Sequence, residues 1–245
     1  MKKVILIAFS LVGLLSFTSC KKTTPAPNNT NSTNNTTNTG NYYAILSISG
    51  LQSMQNGVVF PITNFCKAYF SSTPVSIYNT ATFVKVNSVS LNNTGFKFNA
   101  YGYEDSTYQI AYPSGIWVVN GQGNIPSFTD TINTPLPTYA GYNSLPDTLH
   151  KTQALTLPIT NVSGYDQVQI TISDGSNATG HIYGEVLAAN ASSVTFPQGT
   201  LSQLNTGVNN AFINIHLIKN NPKTISGKSI NFTTEYQFDK TISVK

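Results

Sequence analysis

Arginine is absent from this 245-residue chain; all thirteen basic residues are lysine. Charge of either sign is scarce, at 9% of residues, where an average soluble protein carries roughly 25%. Phosphates and guanine edges are gripped chiefly by the forked guanidinium, and no basic run occurs beyond Lys22, so a nucleic-acid partner is excluded. Histidine is nearly as rare: His150, His181 and His216 stand far apart in the chain, with no cysteine or carboxylate clustered at metal-ligand spacing. His181 and Glu185 would share the wet face of a strand, but four residues of extended chain separate them by about 13 Å, too far to hold one ion. There is no G-x-S-x-G elbow and no phosphate loop. Glu104 and Asp105 are adjacent and, in extended chain, point to opposite faces rather than across a cleft. No catalytic residue, metal ligand or cofactor is expected on these grounds.

Long apolar runs are also missing, with one exception. Met1 to Lys22 reads MKKVILIAFSLVGLLSFTSCKK: a basic start at Lys2 and Lys3, an apolar stretch Val4–Leu15, then small residues leading to Cys20. The stretch is shorter than the ~20 residues that span a bilayer and has the form of a cleavable export signal. With Thr18 and Ser19 before the cysteine, the segment resembles the signal of small Bacteroidetes envelope lipoproteins, and FTSCKK is similar to signals of that phylum. The resemblance covers residues 1–22 and implies removal of residues 1–19, lipidation of Cys20 and attachment to the outer membrane through diacylglyceride and an amide-linked acyl chain such as palmitate. Surface-displayed members carry acidic residues after the cysteine; Lys21 and Lys22 stand there instead, which favours a periplasm-facing position. Residues 23–40, TTPAPNNTNSTNNTTNTG, hold one apolar side chain and read with Cys20 as a disordered tether (20–40) with a reach of about 25 Å. With Cys20 lipidated, Cys66 has no intramolecular partner; in FCKAYF it shares a strand face with Ala68 and Phe70 and reads as a small buried hydrophobe.

What the chain has in abundance is Thr, Asn, Ser, Tyr and Val, arranged with period two. Strands are expected around Leu46–Ile48, Thr82–Leu91 (with a bulge at Asn87-Ser88), Phe96–Ala100 after a turn at Asn92–Gly95, Ser106–Tyr112, Gly115–Asn120 and Ser127–Ile132. The second half adds Leu155–Ile159, Val168–Ile172, Ile182–Val186 facing the core through Ile182 and Val186, Ile213–Leu217, Ile230–Phe238 and Thr241–Val244. One helical turn is expected at Thr200–Gln203, capped by Thr200 and ended by Gly207. Residues 134–150 hold Pro135, Pro137 and Pro146 and read as an inter-domain linker or a long packed loop. The expected fold is all-β: two antiparallel, immunoglobulin-like β-sandwich domains at 41–133 and 151–245.

Two sets of candidate functional residues remain. Tyr101, Tyr103, Tyr108 and Trp117 fall within seventeen residues, and such rings can stack on a sugar. Asp-Ser/Thr-apolar patterns place Ser106, Thr131 and Thr148 in positions similar to the O-glycosylation acceptors of the same phylum. The expected function is a lipid-anchored, non-catalytic binding or interaction module of the envelope, with a glycan or an envelope protein as partner. The rival expectations are a fimbrial subunit assembling by exchange of strand 240–245, as in lipoproteins of that phylum, and a hydrolase with an unrecognised carboxylate site.

Overall fold

Alternation becomes strand almost throughout the described residues, which are 42–71, 81–97, 100–104, 115–174 and 181–245 of the computed structural model. The first half carries β1 (Ala44–Gln55), β2 (Val58–Val59), β3 (Thr63–Ser71), β4 (Phe83–Val86), β5 (Val89–Ser90), β6 (Asn92–Lys97), β7 (Ala100–Glu104), β8 (Gly115–Asn120) and β9 (Phe128–Ile132). The second carries β10 (Thr138–Tyr139), β11 (Thr148–Leu149), β12 (Leu155–Pro158), β13 (Val162–Ser163), β14 (Gln167–Ser173), β15 (Ile182–Ala188), β16 (Ser193–Phe196), β17 (Gly207–Ile225) and β18 (Lys228–Val244). The protein is all-β; a 3₁₀ turn at Tyr142–Ser144 is the one helical element among the described residues. The helical turn expected at Thr200–Gln203 is instead a run of tight turns, with Ser202 N donating to Gly199 O and Leu204 N to Leu201 O. It serves to bury Leu201 and Leu204, and Gly207 opens β17 rather than closing a helix.

Ten strands make one sheet in the order β15-β14-β17-β18-β1-β3-β7-β6, with β2 added to β1 and β11 to β18. Its spine is the β17–β18 hairpin. Ser226 and Gly227 both sit at positive φ, 49° and 74°, a two-residue turn of the twist that suits a hairpin. The two arms of 19 and 17 residues extend for about 55–60 Å at ~3.3 Å per residue. One edge of β18 takes β17; the other takes β1 from Ala44↔Ile230 to Met54↔Lys240, then β11 at Thr148↔Ser243. Both of those pairings are parallel, not antiparallel as expected, because the intervening chain supplies the long crossover that parallel neighbours need.

Side-chain alternation along β18 then sorts two cores onto one face of this sheet. Ile230 and Phe232 join Leu46, Ile48, Cys66 and Phe70. The four-stranded sheet β5-β4-β8-β9 covers them with Val84, Val86, Trp117, Val119 and Ile132. Tyr236, Phe238, Ile242 and Val244 join Ile170, Ile213 and Ile215. Above them lie the small sheets β12–β16 and β10–β13, through Leu157, Phe196 and Tyr139. The stretch 134–137 crosses the main sheet between the cores. Thr234 Oγ1 donates to Pro135 O at 3.1 Å, and a Cβ on Gly50 would lie 3.0 Å from Leu136 Cδ1 and 3.1 Å from Ile62 Cγ2. Glycine at 50 is what lets this strap lie down. Of the two readings of residues 134–150, the packed loop holds: Tyr139, Leu145 and Leu149 are buried, and β11 belongs to the main sheet. The blocks 41–133 and 151–245 share that sheet.

Local features also differ from expectation. The phase slip at Asn87-Ser88 is not a bulge but the turn between β4 and β5, with Asn87 at φ 55° and Val86 paired to Val89. Asn92–Gly95 is not a turn but part of β6, and the register shift between Asn93 and Gly95 puts the irregularity there. Strand β15 faces the other way from that expected. Tyr183 and Leu187 pack on the core, whereas Ile182 and Val186 are about half exposed on the opposite face. The strand expected at Ser106–Tyr112 lies outside the described residues.

Candidate functional site

Of the four aromatic residues singled out above, the two whose side chains are described, Tyr103 and Trp117, belong to the core. Tyr103 is 2% exposed; its hydroxyl donates to Ala81 O at 2.7 Å and its ring meets Phe70 edge-to-face. Trp117 is fully buried under the four-stranded sheet. Neither ring has a face to offer a ligand, since large apolar rings lower the free energy most when taken into the core. Tyr101 lies on β7 opposite Phe70, and its side chain is outside the described set, as are Tyr108, Ser106 and Cys20. Of the remaining acceptor candidates, Thr131 is exposed on β9. Thr148 is half-buried on β11, fixed on either side by Ser243 N donating to Asp147 O and Lys245 N to Leu149 O.

Polar residues gather instead where the sequence suggests a wet face. On the side of the main sheet away from the cores, Ser49 pairs across to Glu235, and Ser47 to Thr233 on one side and Lys67 on the other. Ser47, Ser49 and Thr233 are buried. Glu235 gathers three donors: His216 Nε2 at 3.0 Å, Thr233 Oγ1 at 2.7 Å and Ser49 Oγ at 3.2 Å. Burial alone would push the Glu235 carboxyl up, but His216 and the neighbouring hydroxyls outweigh it and bring it down to about 2. Around it, burial lowers the Lys67 ammonium against the pull of Glu104 and Glu235. Burial also raises Tyr69, whose hydroxyl donates to Glu104 at 3.2 Å. Asp239 is raised by burial in spite of the amide of Asn214 at 2.7 Å.

This arrangement has the residue types of a serine hydrolase without the geometry. A nucleophile needs its hydroxyl proton directed at a base, whereas Ser49 and His216 both donate to the same carboxylate. A carboxyl held near 2 is also badly matched to proton transfer near neutrality. The cluster locks three strands to one another. The second histidine behaves likewise: buried Asp174 accepts from His181 N and Nδ1 and from both the backbone and side chain of Asn205. Burial pushes Asp174 up, yet these donors leave it below its ordinary value. His181 is thus turned to Asp174 and not to Glu185. No group of three or more His, Cys, Asp and Glu among the described residues could hold a metal ion.

One concavity combines polar groups with room for a ligand. It has a volume of about 470 Å³ and lies where the β1–β2 turn, the segment Asn143–Thr148 and the ends of β17 and β18 meet. Lys240 is 3% exposed; its Nζ is held by Leu145 O at 2.6 Å and Asp147 Oδ1 at 2.8 Å. Asn209 Nδ2 donates to Asn56 Oδ1 at 3.1 Å, and Asn209 N to Ser243 Oγ at 3.2 Å. Asn56 and Asn209 both take positive φ, about 50°, which asparagine tolerates better than other side chains with a Cβ. Sequence reasoning singled out Thr148, which lines this concavity beside Asp147, but not Asn56, Asn209 or Lys240. Asn56-Gly57 is a recognisable hairpin turn, but nothing local places it beside Asn209 or Asp147. No protein-family model, curated protein or solved structure matches the chain.

Proposed function

We propose that the protein is a lipid-anchored, non-catalytic binding module of a bacterial envelope, held through Cys20 at the outer membrane on its periplasmic side. In this reading each half is an immunoglobulin-like sandwich that lends its larger sheet to the other. The observation that carries the binding role is the cleft at Asn56, Asp147 and Asn209. Its walls are pinned by hydrogen bonds between distant segments, so the ligand-facing groups are held in place beforehand. The committed donors around Glu235 favour binding over hydrolysis. Strand exchange is the weaker alternative, because β18 is already hydrogen-bonded along both edges and would have to leave the centre of its own sheet.

The test has two arms on one preparation. Metabolic labelling with an alkynyl fatty acid should mark the full chain, and Cys20→Ser should lose the label and leave the membrane fraction. A metabolite and polysaccharide library should then give melting-temperature shifts without turnover. An unlabelled, soluble wild-type chain would overturn the anchor. Turnover abolished by a single Asp or Glu substitution would overturn the non-catalytic assignment.

A further inference from the structure

From the cleft's chemistry we infer that its ligand is a neutral, hydroxyl-rich molecule, a saccharide, bound between Asp147, Asn143 and the Asn56–Asn209 bridge. This inference rests on the binding role proposed above and adds the ligand class and the residues that select it. Among the described residues, the only formal charges lining the cleft are Lys240 and Asp147, and they neutralise each other at 2.8 Å. An anionic ligand would meet the Asp147 carboxylate, whose side chain is 87% exposed, while the ammonium that could attract it is buried beneath. A cation would find one carboxylate already paired to a lysine. What remains is hydrogen bonding without net charge.

The groups available fit hydroxyls in particular. One oxygen of Asp147 is engaged by Lys240; the other is an acceptor for an O–H proton. Asn56 spends its side-chain oxygen on Asn209, which leaves the Asn56 amide as donor and the Asn209 oxygen as acceptor. Asn143 is exposed on the rim, and its side chain makes no hydrogen bond within the described residues. A sugar offers vicinal hydroxyls that both donate and accept, and it also offers C–H faces, for which the 7% exposed edge of Met54 leaves a small apolar contact, Leu145 being buried. Acceptors and donors of both kinds, set close together over a small apolar area, match that pattern.

The experiment uses the full chain in detergent on an array of neutral and acidic glycans, followed by titration calorimetry with the best binder. Neutral glycans should bind. Asn143→Ala, at an exposed position with no internal bond to lose, should weaken binding about tenfold with the melting temperature unchanged, the loss expected for one hydrogen bond. Asp147→Asn should weaken it further, and Tyr69→Phe, on the far side of the sheet, should leave it unchanged. Preference for acidic glycans overturns the ligand class. Glycan binding indifferent to Asn143 and Asp147 overturns the site and leaves the binding role standing. Absence of glycan binding at millimolar concentration, with another library compound still shifting the melting temperature, overturns the saccharide assignment alone.

Discussion

Glu235→Gln isolates the electrostatic centre of the main sheet. The wild-type carboxyl is brought from an ordinary 4.5 down to about 2. At ~1.4 kcal/mol per unit, that difference corresponds to about 3 kcal/mol of stability held by the charged form. A depressed carboxyl contributes fully above its unfolded value of 4.5, and the contribution is lost as pH falls through about 2. Glutamine keeps the shape but turns one acceptor into a donor facing Thr233, Ser49 or His216, all of which already donate. For a body of this size ~1 kcal/mol moves the melting temperature by ~2–4 °C, so the variant should melt about 6–12 °C below wild type at pH 6. By pH 2 the gap should have closed to a small residue. Thermal melts followed by near-ultraviolet circular dichroism at several pH values between 6 and 2 would measure it. A gap of the same size at both ends of that range would refute the reasoning, because the loss would then be packing and not charge. So would a variant within 2 °C of wild type at pH 6.

Asp239 lies on the same face with its carboxyl raised by burial, so its charge costs stability once pH exceeds the ordinary carboxylate value and costs nothing well below it. Asp239→Asn, which can keep the contact with Asn214, should therefore raise the urea midpoint at pH 7 and leave it unchanged at pH 3; a lower midpoint at pH 7 would contradict this. Gly50→Val should cost about 1–3 kcal/mol by overpacking against Leu136 and Ile62, with faster amide exchange at Leu136 and Tyr139 as the local signature. Unchanged exchange there would mean that the strap does not depend on the missing side chain.

The strands were legible because burial on one face leaves a period-two trace in the residues themselves. Cys66, Ala68 and Phe70 share a buried face as their spacing implies, and β8, β9, β14 and β18 sit where alternation puts them. Partnership between strands leaves no such trace. Asn87-Ser88 and Asn92–Gly95 both carry residues that suit a turn or a bulge, and only the pairing of Val86 with Val89 decides that the first is the turn. On β15, apolar Ile182 and Val186 lost the core position to Tyr183 and Leu187, because the register set by β14 pairs Ile172 with Tyr183 and Val168 with Leu187. The Glu235 cluster was half legible. Counting back from Ser226-Gly227 pairs His216 with Gln237, one diagonal step from Glu235, but β1 as the third wall comes from a strand some 180 residues earlier.

That third wall also explains why two blocks of strands make one body. A hairpin with arms as long as β17 and β18 exposes more ladder edge than the second half can cover by itself. Left bare, the β18 edge at 230–240 would be a long unpaired row of donors and acceptors. Strand β1 fills it in parallel, and in doing so carries Leu46 and Ile48 over the end of β18 where Ile230 and Phe232 emerge. The polar side of the same register brings Ser47 and Ser49 to Thr233 and Glu235. One pairing therefore accounts for both the continuity of the core face and the buried network behind it. The cleft forms where β1 runs out at Gln55 and β11 takes over the β18 edge from Ser243, so the break in that edge is what leaves the concavity open.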